Sequence, residues 1–358
     1  MNFVSDNIVG ASSPVLDAVV RANAGPAAAY GADELSKRVE ATFSRIFERE
    51  VQVFFVTTGT AANALALAAA VPPWGLAVCH REAHVIDDEC GAPEFFMHGA
   101  KLAGLPGVGS KVAPETLSAY LNGLPASIKQ MPPKALSISQ VTEGGLVYAL
   151  GEIRALSAVC RARGLALHMD GARFANALVA LGCSPAEMTW KSGVDILSFG
   201  GTKNGCFMAE AVVVFDPALA ESLAYRRKRA GQLISKGRLI AAQFEGYFAD
   251  DHWLANARHA NRMAGLLAEG LAELPGVRLP WAVEANEVFP IVPRALDAAL
   301  KAGGVVYHPW ATASLPEGER VGPDETLIRL VTSFATQESE VRQALDIARA
   351  TLRQQAAE

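Results

Sequence analysis

The sequence lacks any uninterrupted apolar stretch of the ~18 residues a helix needs to cross a bilayer, so no membrane span is expected. Its first residues, MNFVSDNIVGASSP, carry Asp6 and no basic segment followed by an apolar run, and do not read as a signal peptide. Cysteine is scarce. The five present, Cys79, Cys90, Cys160, Cys183 and Cys206, are odd in number and irregularly spaced, which excludes a disulfide framework or zinc ribbon and fits a reducing, cytoplasmic setting. Positive charge is not in excess: 32 Lys and Arg stand against 37 Asp and Glu, net −5. That balance gives no pull toward nucleic acid or anionic lipid, and neither is expected as a partner. No repeat with a period of about 20–50 residues and no low-complexity tract is present, which excludes solenoids and propellers.

What is present is a globular composition, 51% hydrophobic and 19% charged, in 358 residues, enough for one large or two modest domains. Short β-rich runs alternate with longer Ala/Leu-rich segments of helical period, the signature of an α/β fold with a parallel sheet and crossover helices. Strands are expected at 51–56, 135–140, 165–169, 195–198 and 211–215, and helices at 61–70, 151–162 and 171–181. A basic helical stretch at 224–229 precedes a long amphipathic segment, 239–274, that reads as a connector. Beyond Pro275 short strands at 288–292, 304–307 and 327–331 and a last helix from Glu338 predict a small α/β C-terminal domain.

Three segments carry chemistry. The first is FFVTTGTAAN, in which an apolar strand passes through Thr57, Thr58, Gly59 and Thr60 into an Ala-rich helix. Unpaired N–H groups at a helix start favour a phosphate, although the same pattern serves an ordinary Thr-capped turn. The second is LALHMDGAR, which sets Asp170 at the end of an apolar strand, where doubly wound sheets present ligands, or where a carboxylate caps the next helix. The third is DILSFGGTKNG, a strand emptying into a glycine-flanked Lys203. Glycines permit close approach of another molecule, and a partly desolvated lysine is a nucleophile. A phosphate cradle, a strand-end carboxylate and a loop amine, in that order, are the parts that pyridoxal 5′-phosphate requires.

Other residues compete for roles. His80, His84, Asp87, Asp88 and Glu89 crowd one stretch, and on a helix the two histidines would share a face. A metal hydrolase using His80, His84 and Asp88 is the rival reading. The HExxH order fails, however, and no third ligand is evident, so no metal is expected and His84 reads as an aromatic plate over a cofactor ring. Arg173, placed one turn into the helix after Asp170, and Arg329, which interrupts the apolar run LIRLV, can each fork onto a carboxylate or serve a structural salt bridge. The run Arg226 to Arg229 reads as a solvated helix face or subunit contact.

With these residues in order, nearly the whole chain resembles the low-specificity L-threonine aldolases, fold type I pyridoxal-phosphate enzymes of the Pseudomonas-type branch. Ser5, Asp6 and Asn7 resemble the family's N-terminal Ser-Asp-Asn/Thr element, and Tyr30 to Asp33 its Tyr-Gly-x-Asp motif. Thr58 to Asn63 resemble its phosphate turn, His84 its ring-stacking histidine, His168 to Arg173 its Asp/Arg segment, and Lys203 its Schiff-base lysine. The resemblance implies an aspartate-aminotransferase-like fold. A mostly parallel seven-stranded sheet would lie in a large cofactor-binding domain, residues 1–240, with residues 1–20 reaching the active site. Residues 241–358 would form the connector helix and small domain.

It also implies an aldehyde-lyase cleaving L-threonine, L-allo-threonine and related β-hydroxy-α-amino acids to glycine and an aldehyde, with His84 as first choice for the base. Another fold type I reaction, β-elimination or transamination, is the alternative. By the resemblance, Lys203, His84 and Asp170 are catalytic; Gly59, Thr60 and one of Arg227 or Lys228 hold phosphate; Ser5, Arg173 and Arg329 hold the substrate carboxylate. Tyr30 would reach a neighbouring subunit's site in a homotetramer built from dimers. The chain departs from better-known relatives at Thr142, which stands where they carry a second histidine, and at Ala230 to Lys236, where they carry a glycine-rich stretch.

Overall fold

The computed structural model describes residues 1–355. Its main sheet comprises β1 (Gln52–Val56), β2 (Leu76–His80), β3 (Lys101–Leu105), β4 (Pro133–Ser139), β5 (Ala166–Gly171), β6 (Ile196–Gly200) and β7 (Glu210–Val214). They lie in the order β1-β7-β6-β5-β4-β2-β3, and only β7 runs against its neighbours. The expected mostly parallel seven-stranded sheet is thus observed. β2, β6 and β7 are buried at every position, as strands covered on both faces must be.

Among the early helices, α1 (Ser13–Ala22) packs on the later helix Arg238–Phe248, α2 (Glu34–Ile46) covers one face of this sheet and α3 (Gly59–Ala70) the other. Thr58 caps α3 by accepting from Ala61 N at 3.1 Å, and the alanine-rich body that follows lets the helix lie close on the strands. On the opposite face an aromatic cluster fills the core: Phe43 packs edge-on to Phe199 and Phe244, with ring centres 5.2 Å apart in both pairs.

The second unit is a small sheet centred on β11 (Glu325–Val331), which pairs antiparallel with β8 (Glu287–Val288), β9 (Ile291–Pro293) and β10 (His308–Pro309). Helices Arg294–Ala302 and Glu338–Gln355 flank it.

Several sequence expectations shift. β2 and β3 were not anticipated. The helix expected from residue 171 begins at Phe174, because Gly171 stays in β5 and Arg173 keeps non-helical torsions at φ −121° and ψ 37°. Arg173 therefore precedes that helix rather than lying one turn into it. The 239–274 segment is two helices, Arg238–Phe248 and His252–Ala272, broken where Asp250 and Asp251 take left-handed torsions. The 304–307 stretch forms only a bridge, Asn2 to Val306, and the strand follows at β10.

Candidate active site

The parallel strands end on one edge of the sheet, and there a cavity of about 570 Å³ opens toward the second unit. Ser5, Gly59, Thr60, His84, Asp170 and Lys203 line it, together with Arg173 and Arg329. Tyr30, Arg227 and Lys228 do not: Lys228 Nζ stacks 5.0 Å above the Tyr30 ring, and Arg227 lies 5.6 Å over Phe54. Burial lowers the Arg227 pKa, and its Nε has no partner.

At the start of α3, Thr57 is fixed by Gln232, whose Oε1 accepts from Thr57 N at 3.0 Å and from its hydroxyl at 2.9 Å. A Cβ built on Gly59 would meet nothing within 4 Å, so the space over the helix start is open to an anion.

Asp170 is buried, and both its oxygens are engaged. Oδ1 accepts from Ala172 N at 3.0 Å and Oδ2 from Asn63 Nδ2 at 2.8 Å. The helix that follows has no side-chain cap, so the carboxylate closes the turn at Ala172 rather than capping that helix, and Asp170 stands on the cavity wall. Beneath it lies His168, wholly buried between Ser137, 2.8 Å from Nδ1, and Ser198, 3.0 Å from Nε2. Burial pushes its pKa down to about 4, so the ring is neutral.

Lys203 sits in a single turn after β6. Its neighbour Asn204 anchors that turn by donating at 2.8 Å to Tyr247 Oη and at 2.8 Å to Trp253 O. The flanking glycines serve the protein's own backbone rather than a ligand's approach. A Cβ on Gly200 would stand 2.6 Å from Ala172 O, and one on Gly201 2.6 Å from Ala209 O. Glu210, also on the cavity wall, accepts from Thr202 N at 3.2 Å, and burial pushes its carboxyl up to about 7.

His84 opens a one-turn helix after β2, whereas His80 ends β2 with its Nε2 3.3 Å from Gly107 O. The two histidines therefore share no helix face. Among the described residues no group of three His, Cys, Asp or Glu side chains is placed to hold a metal. His84 Nδ1 lies 2.8 Å from Glu89 Oε1, and its backbone N donates to Glu143 Oε1 at 2.9 Å. The Glu89 contact raises the His84 pKa above its ordinary value. Burial pushes the Glu143 carboxyl up to about 7, and its Oε2 is enclosed without a partner. Thr142, one residue before it, is buried and donates to Gly109 O at 2.8 Å, away from the cavity lining.

Arg173 is held on two sides. Its Nε and Nη2 donate to Asp6 at 2.8 and 3.0 Å, and Nη1 lies 3.0 Å from Glu287 Oε2. The salt-bridge role is therefore realised in addition to a place on the cavity wall. Burial works against the Asp6 charge, but Arg173, Lys203 and Asn286 outweigh it and hold the carboxyl below its usual range. Arg329 is freer: it stacks 4.2 Å over Trp310, and its buried Nε has no partner.

The sequence reading assigned no role to Glu143, Glu210 or Glu287, and named Asn63 and Glu89 only as members of the turn at 58–63 and the stretch at 80–89. Asn63 and Glu210 did carry a signal, each being a polar residue in an otherwise apolar element.

These parts fit pyridoxal 5′-phosphate. The open start of α3 suits its phosphate, Asp170 its ring nitrogen, and the cavity-facing amine of Lys203 its aldehyde. A seven-stranded sheet carrying these groups on one edge defines a fold type I pyridoxal-phosphate enzyme. The Beta-eliminating lyase family matches residues 2–294. Over 306 residues the chain is 47% identical to the low specificity L-threonine aldolase of Pseudomonas aeruginosa, covering 86% of this chain and 88% of that protein. It is 46% identical over 287 residues to the enzyme of the same name from a Pseudomonas species, covering 80% and 83%. The solved structure of Leishmania major threonine aldolase superposes with a TM-score of 0.90 at 29% identity, over 98% of this chain and 99% of that one. The chain belongs to the low specificity L-threonine aldolase family and is a pyridoxal-phosphate-dependent lyase.

Proposed function

We propose that the chain cleaves L-threonine, L-allo-threonine and related β-hydroxy-α-amino acids such as phenylserine, reversibly, to glycine and an aldehyde. The observation that carries this is the convergence on one cavity of Lys203, Asp170, His84 and the open α3 start with two arginines. When bound, pyridoxal phosphate would supply an electron-poor ring that makes a carbanion at Cα accessible.

The chain's own residues do the rest. Backbone N–H groups of Gly59 and Thr60 hold the phosphate. Asp170, fixed through both oxygens, keeps a proton on the ring nitrogen. Arg329, whose Nε is unpartnered, takes the substrate carboxylate, with Ser5 and Arg173 beside it. Binding the carboxylate orients the Cα–Cβ bond. His84 accepts the β-hydroxyl proton directly or through a water; the Cβ–O bond becomes a carbonyl as Cα–Cβ breaks, and return of one proton to Cα, balancing the one His84 took, yields glycine.

The same reading divides the chain into residues 1–240, with 1–20 reaching the site, and residues 241–358. It makes the assembly a homotetramer, a dimer of dimers. Tyr30, which lies off this chain's own cavity, serves a neighbouring copy, and Arg227 or Lys228, likewise off the cavity lining, is the basic residue that completes a phosphate site. The setting is cytoplasmic, in keeping with five cysteines that are all free. Among the described residues no helix is long and apolar enough to cross a membrane.

The test is release of glycine and acetaldehyde from L-threonine by the cofactor-loaded protein, with Lys203→Ala as control. Equimolar products that vanish in the variant are the expected result. Ammonia with a keto acid would replace the aldol reading by β-elimination, and amino transfer to an added keto acid would replace it by transamination.

A further inference from the structure

His84 is held by a group that the reaction outlined above leaves without a role. Its ring stands 2.8 Å from Glu89 Oε1 through Nδ1, and that same oxygen accepts from Asn63 Nδ2 at 2.9 Å. The second proton of the Asn63 amide goes to Asp170 Oδ2 at 2.8 Å. A single amide thus bridges two carboxyl groups, and the path His84, Glu89, Asn63, Asp170 is unbroken. The Glu89 side chain is wholly buried, whereas that of His84 is 41% exposed and faces the cavity.

With Glu89 ionised, the hydrogen-bond roles along this path follow from its chemistry. Asn63 Nδ2 can only donate, so Glu89 Oε1 is an acceptor. As a carboxylate Glu89 has no proton to give, so Oε1 accepts from both of its neighbours. His84 must then donate from Nδ1, which leaves Nε2 bare when the ring is neutral. We propose that Glu89 is the positioning residue of His84: it fixes the ring plane and the Nδ1–H tautomer so that Nε2 can take the β-hydroxyl proton, with Asn63 tying it to Asp170. This rests on the aldol-cleavage reading and adds to it the residue that makes His84 a base.

Other charges face the same ring. Asp170 acts with Glu89 to favour the protonated form, while Lys203 and burial oppose it. Glu143 lies behind the His84 backbone N, and Asp88 lines the cavity beside it. Glu89 is the one that hydrogen-bonds the ring.

The test uses the cofactor-loaded full chain labelled with [15N]histidine. The chain's 7 histidines allow the His84 signals to be assigned by their loss in His84→Asn. Above its titration the wild-type ring is expected as the Nδ1–H tautomer, and an Nε2–H tautomer would overturn the proposal without any variant having to fold. Glu89→Gln keeps an acceptor but removes the charge, so the tautomer should persist while the His84 titration moves to lower pH. The acid limb of kcat/KM should fall with it. An unchanged titration in Glu89→Gln would also overturn the proposal. A wild-type protein with the Nδ1–H tautomer that leaves L-threonine uncleaved would sink the proposed function and leave this bond standing.

Discussion

At the residue scale, the site concentrates buried carboxyl groups whose protonation differs between the folded and unfolded chain. Burial raises Glu210 to about 7, so its proton is bound more tightly in the folded state. The stability this contributes is full below the ordinary glutamate range, about pH 4.5, and is lost as pH rises through about 7. Glu210→Gln should therefore be more stable than wild type at pH 8, by on the order of 2–3 kcal/mol, and nearly equal to it at pH 4. Urea unfolding at the two pH values checks this, and a pH-independent difference would mean that the carboxyl does not titrate in that window. Glu143 titrates in the same range, so some slope should remain in the variant. Such groups were hard to read from sequence. Lys203, Asp170 and Gly59 announce themselves by following apolar strands, but Glu89, Glu143 and Glu287 lie in mixed segments where a glutamate looks solvated. Arg173 was legible as a carboxylate fork or one half of a structural salt bridge. That the partner is Asp6, 167 positions earlier, is a fact of tertiary structure alone.

At the element scale, the strands flanking the chemistry were the legible ones. β1, β4, β5, β6 and β7 are each short, apolar and ended by polar or glycine residues, and the sequence placed them within about two residues. β2 and β3 escaped for different reasons. LAVCH sits between a Pro-Gly-rich turn and a charged stretch, while KLAGL carries a lysine and a glycine and is mostly half-exposed. The long amphipathic run at 239–274 concealed a break, because two left-handed aspartates leave no trace in hydrophobic periodicity. Glycines at the sheet edge can be interpreted only with the elements in place. Gly200 ends β6 against the turn that follows β5, and these two ends carry Lys203 and Asp170. A methyl group there meets backbone oxygen of Ala172 and Gly171 rather than a yielding side chain. Gly200→Ala should cost about 1–3 kcal/mol and spread the two strand ends. Its distinguishing mark is cofactor retention: dialysis should strip pyridoxal phosphate from the variant faster than from wild type. Equal retention with lowered stability would mean that the clash is relieved away from the site.

At the scale of the whole molecule, the cavity has one wall on the large sheet and another on the small unit, and the N-terminal segment stitches them together. Phe3 is buried in the core of the small unit, its N donates to Val306 O at 2.8 Å, and its O accepts from Val331 N at 2.9 Å. Arg329 Nη2 donates to Val4 O at 3.3 Å. Asp6, just beyond, reaches Arg173 after β5 and accepts from Asn286 Nδ2 at 3.0 Å, ahead of β8. Ser5 is thereby carried to the cavity wall by a segment whose anchor is an aromatic side chain in the other unit's core. The groups proposed for the cofactor, by contrast, all belong to the large sheet and its covering helices. Phe3→Ala should then separate two properties that a general loss of stability would move together. Removing the ring from a filled core costs about 3–5 kcal/mol and lowers Tm. The loosened segment should raise KM for L-threonine several-fold, while pyridoxal phosphate stays bound with little change below the transition. Thermal unfolding, steady-state kinetics and cofactor absorbance on the same preparation measure all three. A lowered Tm with KM unchanged would mean that Ser5 and Arg173 keep their places without the Phe3 anchor, through the Asp6 and Asn286 contacts alone.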